Sequence, residues 1–85
     1  MRKIEEIKVL ENYILFCRFS NGDEKFVDIK PFLNSEAFLP LKNYSIFSNI
    51  KNHTFFISWL DENVYLSADT LWNIGEKENL SFANS

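Results

Sequence analysis

Few side chains in the sequence could perform chemistry, and the two most reactive types occur once each. His53 is the only histidine and Cys17 the only cysteine of the chain. A metal site needs several converging ligands, and a reactive thiol needs an exposed, electropositive setting. Cys17 instead follows Leu15 and Phe16 in an apolar run. We therefore predict a buried, unreactive thiol and a structural histidine.

Carboxylates are the next candidates for catalysis. Asp23-Glu24 and Asp61-Glu62 lie between apolar runs, where we predict hairpin loops with solvated charges. Asp28 precedes Pro31 by three residues, and its carboxylate is predicted to accept N–H groups of the turn that starts there. No base or nucleophile can be named as its catalytic partner. We therefore assign Asp28 and Pro31 structural roles.

Aromatic and glycine residues offer no clearer site. Trp59 and Trp72 are residue types that stack on ligands or bases, but each lies on the apolar parity of its element, which predicts a core position. Gly22 and Gly75 are the only glycines, too few for a glycine-rich phosphate loop. The sequence thus predicts no catalytic, metal-binding or cofactor-binding residue, no cofactor, and no enzyme.

Whole-chain properties set the class of protein. A chain of 85 residues has room for one hydrophobic core, so we predict a single domain over residues 1–75 and a polar tail over 76–85. The net charge of −3 without a Lys/Arg run argues against direct nucleic-acid binding. A single cysteine, no leader-like apolar start and no run near ~20 apolar residues predict a cytoplasmic protein without membrane contact.

The first third of the chain predicts three strands. Residues 3–10 form the first, with a bulge near Glu5-Glu6 because Ile4 falls on the parity opposite to Ile7 and Val9. A turn at residues 11–12 precedes a central strand over residues 13–19, which is apolar on both faces until near its end.

Asn21-Gly22 between two strand-like runs is the strongest local signal and predicts a hairpin whose Gly22 has positive φ. A two-residue loop would place Arg18 opposite Lys25, and like charges opposite each other are unfavourable. A three-residue loop pairs Cys17 with Val27 and leaves one apolar face. We favour the second register.

The middle and the end of the chain mix helical turns with strands. Pro31 begins a helical turn, and two further turns flank Lys42-Asn43. Residues 50–60 return to strand character, with Phe55, Ile57 and Trp59 on one parity and a turn near residues 52–53. Residues 61–63 form a loop and 64–66 a short strand. Ser67 is predicted to cap a C-terminal helix that stops at Gly75.

These elements define an α+β fold: a small curved antiparallel sheet of about five or six strands in hairpins, short helical turns in the middle, and one C-terminal helix. An open sheet leaves edge strands with unpaired backbone groups. Phe56 lies on the parity opposite to its apolar neighbours, so we expect it to face outward and to contact a partner. The alternative is a monomer in which helical turns around Phe38 and Phe47 cover Phe56.

Several short segments, in this order and spacing, resemble a small bacterial family, domain of unknown function 2442, over about residues 4–72. The segments are Phe19-Ser20-Asn21-Gly22, Asp28, Pro31-Phe32-Leu33, Phe38, Leu41, Phe47, Ile57-Ser58-Trp59 and Leu66-Ser67-Ala68-Asp69-Thr70-Leu71. The sequence departs from the family pattern at Leu60, where members often have proline, and at Tyr65, where they often have an acid.

The resemblance implies an α+β fold with a curved antiparallel sheet, and it implies no activity. Stand-alone members of the family look like partners of a second small protein of toxin–antitoxin type. We therefore expect a non-catalytic protein-interaction module, the antitoxin-like partner of another small protein or a partner of a second copy of itself. The alternative is a small-molecule-sensing or transcription-regulatory accessory domain.

Overall fold

Two three-stranded antiparallel sheets form the framework of the computed structural model, which describes residues 2–79. The first sheet contains β1 (Ile4–Val9), β2 (Ile14–Phe19) and β3 (Glu24–Asp28), with β2 in the centre. The second contains β4 (Lys51–Asn52), β5 (Phe56–Trp59) and β6 (Val64–Ser67), with β5 in the centre. The α+β class and the upper strand number are confirmed, whereas the single curved sheet is wrong.

The two sheets meet at the start of β1 but do not share a ladder. The Ile4 amide donates to the Thr54 carbonyl at 2.7 Å, and the Asn52 side chain donates to the Ile4 carbonyl at 2.9 Å. The pairing register of β1 shifts between Ile4 and Glu6, which confirms the predicted bulge. Because β1 bends at this bulge and β4 has only two residues, pairing does not continue from one sheet into the other.

The β2–β3 hairpin has a three-residue loop, but its register is not the one we favoured. Cys17 lies opposite Lys25, and Arg18 lies opposite Glu24. The predicted Cys17–Val27 pairing is therefore wrong by two residues. The observed register places opposite charges across the ladder, which is favourable.

A shift of two residues preserves the face on which each side chain lies. Cys17 and Val27 are consequently both buried, and the predicted apolar face is present. The Phe19 amide donates to the Asp23 carbonyl at 2.8 Å, which closes the loop. Gly22 has a φ of 91° within it, and the Asn21 side-chain oxygen accepts the Asp23 amide at 3.0 Å.

Helical turns occupy the segment between the sheets. Two 3₁₀ segments, Lys30–Phe32 and Glu36–Lys42, precede the helix α1 (Tyr44–Ser48). The Asn43 side-chain oxygen accepts the Ser45 amide at 3.0 Å and so caps α1. The two predicted turns on either side of residues 42–43 are confirmed.

Residues 50–60, predicted to have strand character with a turn near residues 52–53, form a hairpin of β4 and β5 whose turn contains Thr54 and Phe55. Thr54 has a φ of 74°, and the Phe55 amide donates to the His53 carbonyl at 2.8 Å. This turn removes Phe55 from the parity of Ile57 and Trp59, which are buried as predicted. The predicted parity of Phe55 with Ile57 and Trp59 is therefore wrong, and its side chain is 42% exposed.

The C-terminal helix α2 (Ala68–Ile74) begins at Ser67, whose hydroxyl accepts the Thr70 amide at 3.1 Å. Gly75 follows with a φ of −71°, so it ends the helix without a left-handed conformation. Glu76 exchanges backbone hydrogen bonds with Phe26 at 2.7 and 2.8 Å and thus extends the first sheet. Residues 80–85 of the predicted tail lie outside the described residues.

One hydrophobic cluster joins both sheets and the helices. Its largest fully buried side chains are Trp59, Phe19 and Phe47. The remaining members come from every strand except β4 and from both helical regions; they are Ile4, Leu15, Cys17, Val27, Ile29, Leu41, Ile57, Val64, Leu66, Ala68 and Leu71. The inward faces of the two sheets therefore share a core, and the outward face of the second sheet is available for a site.

Candidate interaction surface

Cys17 is fully buried in β2. Desolvation raises the pKa of its thiol from the ordinary 9.0 to about 12. The protonated thiol is a much weaker nucleophile than the thiolate, and the Cys17 thiol has no access to solvent. The arrangement gives Cys17 a packing role.

The raised pKa of Cys17 predicts a specific alkaline destabilisation. The unfolded chain releases the thiol proton above pH 9, while the folded chain retains it to about pH 12. Stability should therefore be unaffected by this group below pH 9 and fall by up to about 1.4 kcal/mol per pH unit above it. Urea unfolding at several pH values should show this extra slope relative to Cys17→Ala. Parallel curves for the two proteins would contradict the burial of the thiol.

Asp28 and Pro31 lie in the turn that leaves the first sheet. The Asp28 carboxylate accepts the Lys30 amide at 2.9 Å and lies 3.1 Å from the Lys30 ammonium group. The Lys30 ammonium group also donates to the Asn12 carbonyl at 2.7 Å. Pro31 lies in the first turn of the following 3₁₀ segment. These contacts hold the turn against the β1–β2 connection.

The two tryptophans have different environments. Trp59 is 1% exposed, and its indole N–H donates to the Phe47 carbonyl at 2.7 Å. Trp72 is half-buried, with the Arg2 guanidinium 4.3 Å and the Lys25 ammonium group 4.4 Å from its ring centroid. Trp59 is therefore a core residue, whereas the ring of Trp72 contacts two cations.

The outward face of the second sheet carries a group of aromatic rings. Phe55, Phe56 and Tyr65, which we call the aromatic face, line a shallow cavity of about 380 Å³ together with Glu62 and Ser67. Tyr65 is 62% exposed. Phe56 is half-buried, and its ring lies 6.2 Å from that of Tyr65 in an edge-to-face arrangement.

Phe56 is held by a histidine rather than by the helical turns. The His53 ring stacks on Phe56, with 4.4 Å between centroids and 9° between planes. Neither Phe38 nor Phe47 has a ring contact with Phe56 among residues 2–79; their rings pair with other aromatic residues. His53 therefore orients Phe56 within the aromatic face.

A polar chain runs behind the aromatic face, and sequence reasoning missed it. His53 Nε2 is 2.8 Å from the Ser58 hydroxyl, and His53 Nδ1 is 3.7 Å from a Glu62 carboxylate oxygen. The sequence feature that could have indicated the first contact is the separation of five residues between His53 and Ser58, across a tight hairpin. Ser58 is only 1% exposed, and 3.7 Å exceeds a direct hydrogen bond. These polar contacts thus support the His53 ring and do not expose a nucleophile.

Among residues 2–79, no three His, Cys, Asp or Glu side chains are placed to bind one metal ion. No helix in the described part of the chain has the length and apolar character needed to cross a membrane.

The fold and its outward aromatic rings define a small α+β domain with an exposed apolar face. The family model "Protein of unknown function (DUF2442)" matches residues 4–77. The chain belongs to this family, as the spaced motifs indicated. No curated protein and no solved structure showed significant similarity to it.

Proposed function

We propose that the protein is a non-catalytic interaction module that binds one partner protein through the aromatic face and the adjacent edge of β6. The observation that carries this proposal is that the exposed side chains of Tyr65 and Phe55 line the same shallow cavity. Aromatic residues are enriched at protein interfaces and provide much of their binding energy.

Three of the four sheet edges are protected against pairing. β1 has its bulge and the ion pair between Arg18 and Glu6 at 3.0 Å. Phe26 in β3 pairs with Glu76. β4 is two residues long and carries the exposed Lys51. Short strands, bulges, charges and cover are the usual protections of an edge.

β6 is also short, with four residues, but its edge has no bulge, no charge and no covering strand among the described residues. The strand also contains no proline. The Ala68 amide donates to the Phe55 carbonyl at 2.8 Å. Because hydrogen-bonded pairs alternate along an antiparallel ladder, the backbone N–H and C=O of Tyr65 point toward the open edge. A partner strand can add there.

This proposal has a finer form. The protein would be the antitoxin-like member of a pair with another small protein, as the family resemblance implies. The open edge and the aromatic face support binding of a protein partner. The alternative partner is a second copy of the chain.

A matched pair of substitutions tests the proposal. We expect tagged wild-type protein, expressed in cells that encode it, to retain a stoichiometric protein partner. Tyr65→Arg should abolish this retention because it places a charge in the aromatic face. Leu39→Arg is the control, since Leu39 is also an exposed apolar residue, at 43%, and lies in a 3₁₀ segment. Substitutions at such exposed positions usually change stability by less than ~0.5 kcal/mol.

Mass spectrometry of the retained proteins measures the outcome. Recovery of untagged copies of the same chain would identify a homodimer, and recovery of a different protein would identify a pair. The same set of proteins with both variants would contradict the proposal. Melting curves of the variants establish that both are folded.

A groove in the first sheet favours a second function, small-molecule sensing. It has a volume of about 610 Å³ and combines apolar and polar groups, as ligand sites do. Its lining includes Ile14, Phe26, Asp28, Lys30 and Glu76. A small molecule bound there would shift the amide signals of Phe26 and Glu76 and leave those of β6 unchanged, which distinguishes the two functions.

A further inference from the structure

No Lys or Arg lines the cavity beside the aromatic face, although Lys51 of the same sheet lies opposite Ser58, two strands from Tyr65. The cavity is lined by three aromatic side chains, Ser67 and Glu62. Residues 60–67, which form β6 and the loop before it, contain Asp61 and Glu62 but neither Lys nor Arg. Glu62 is 60% exposed, and its nearest described ionic contact is His53 at 3.7 Å, an imidazole that is charged only when protonated. The carboxylate is therefore available to a cation from outside.

We propose that this cavity binds an arginine or lysine side chain that a partner protein presents on an extended strand paired with β6. This inference rests on the proposed function and names the chemistry of the partner. A cation over an aromatic ring is attracted by the negative face of that ring. Arginine is favoured over lysine, because its planar guanidinium group can stack on a ring and bind a carboxylate with two hydrogen bonds.

The geometry of strand addition delivers such a side chain. A strand added to β6 lies about 4.8 Å away, and every second side chain points to the face that carries Tyr65. A basic residue opposite or diagonal to Tyr65 can place its cation over the Tyr65 ring, in the cavity that Glu62 also lines. A second copy that added its own β6 would bring no cation, because residues 60–67 contain none. The occupant is therefore a different protein with a basic strand.

Peptide titration of the full-length, ¹⁵N-labelled protein tests this inference. The probe is the blocked peptide Thr-Val-Arg-Val-Arg-Thr, which places both arginines on one face of a strand. The control is the same peptide with both arginines replaced by glutamate. We expect the basic peptide to shift the amide signals of Tyr65 and Ser67 saturably, with a Kd on the order of 1 mM. The acidic peptide should bind at least about tenfold more weakly, since it places like charges beside Glu62.

Variants assign the binding to the cavity. Glu62→Gln should weaken binding of the basic peptide by about threefold, the usual range for an exposed ion pair, and added salt should have a similar effect. Equal affinity for both peptides, or shifts confined to residues outside β6 and its loop, would overturn the inference. The cellular experiment could still identify a partner that depends on Tyr65 while the two peptides bind equally. That combination would support the proposed function and contradict only the basic character of the partner.

Discussion

Trp59→Ala is expected to cost about 3–5 kcal/mol of unfolding free energy, the typical loss for a large buried aromatic side chain. Trp59 is 1% exposed, and its ring stacks on that of Phe47 at 5.9 Å between centroids. It therefore joins β5 to α1 across the core. Because domains have total stabilities of about 5–15 kcal/mol, this single change brings the protein close to unfolding at ambient temperature.

Urea unfolding of two further variants separates the contributions of Trp59. Trp59→Phe retains most of the apolar volume but leaves the Phe47 carbonyl without its 2.7 Å donor, so we expect a loss of about 1–3 kcal/mol. Trp72→Ala is the control for indole removal at a half-buried position and should cost less than Trp59→Ala. Equal losses for the two alanine variants would contradict the central position of Trp59.

Local signals were sufficient for much of the first sheet. The bulge near Glu5-Glu6 followed from a change of apolar parity, and the loop at Gly22 followed from the Asn-Gly pair. Both depend on neighbours within a few residues, which the sequence displays directly. The register of that hairpin was wrong because burial alone does not distinguish registers that differ by two residues. The Arg18–Glu24 pairing was the signal that would have selected the correct one.

Long-range contacts account for the errors in the second sheet. Phe55 was placed on the same parity as Ile57 and Trp59 because it lies two and four residues before them. The turn at Thr54 interrupts this parity. The Thr54 carbonyl accepts a hydrogen bond from the Ile4 amide, fifty residues away in the sequence. No local pattern reports such a contact. The contact between Ile4 and Thr54 also lies where the two sheets meet without sharing a ladder. The prediction of a single sheet was wrong because the sequence does not display this contact.

The candidate surface was only partly predictable. Phe56 was selected because it lies opposite in parity to its apolar neighbours, and the structure places it in the aromatic face. Tyr65 was overlooked because residues 64–66 were predicted only as a short strand. The exposure of Tyr65 depends on β6 being the last strand of the second sheet. It therefore could not be predicted without knowing that the strands form two sheets. The stacking of His53 on Phe56 likewise requires the β4–β5 turn.

Gly75→Ala is expected to cost about 1–3 kcal/mol, the usual range for overpacking. A Cβ atom at this position would lie 2.7 Å from the Lys25 Cβ and 2.8 Å from the Leu71 carbonyl oxygen. Gly75 has a φ of −71°, which any residue adopts, so the cost comes from close approach alone. Relief of the clash must move the chain away from β3 and weaken the bridge between Phe26 and Glu76.

Gly22→Ala is the matched control, because its cost comes from backbone conformation and not from close approach of other atoms. Gly22 has a φ of 91°, and a Cβ atom there would meet nothing within 4 Å, so its cost of about 1 kcal/mol would come only from backbone strain. Urea unfolding gives the two losses, and amide hydrogen exchange distinguishes their origins. Faster exchange at Phe26 and Glu76 is expected in Gly75→Ala and not in Gly22→Ala. Unchanged exchange at both residues in Gly75→Ala would show that Lys25 yields to the new methyl group and that the end of α2 does not depend on the absence of a side chain.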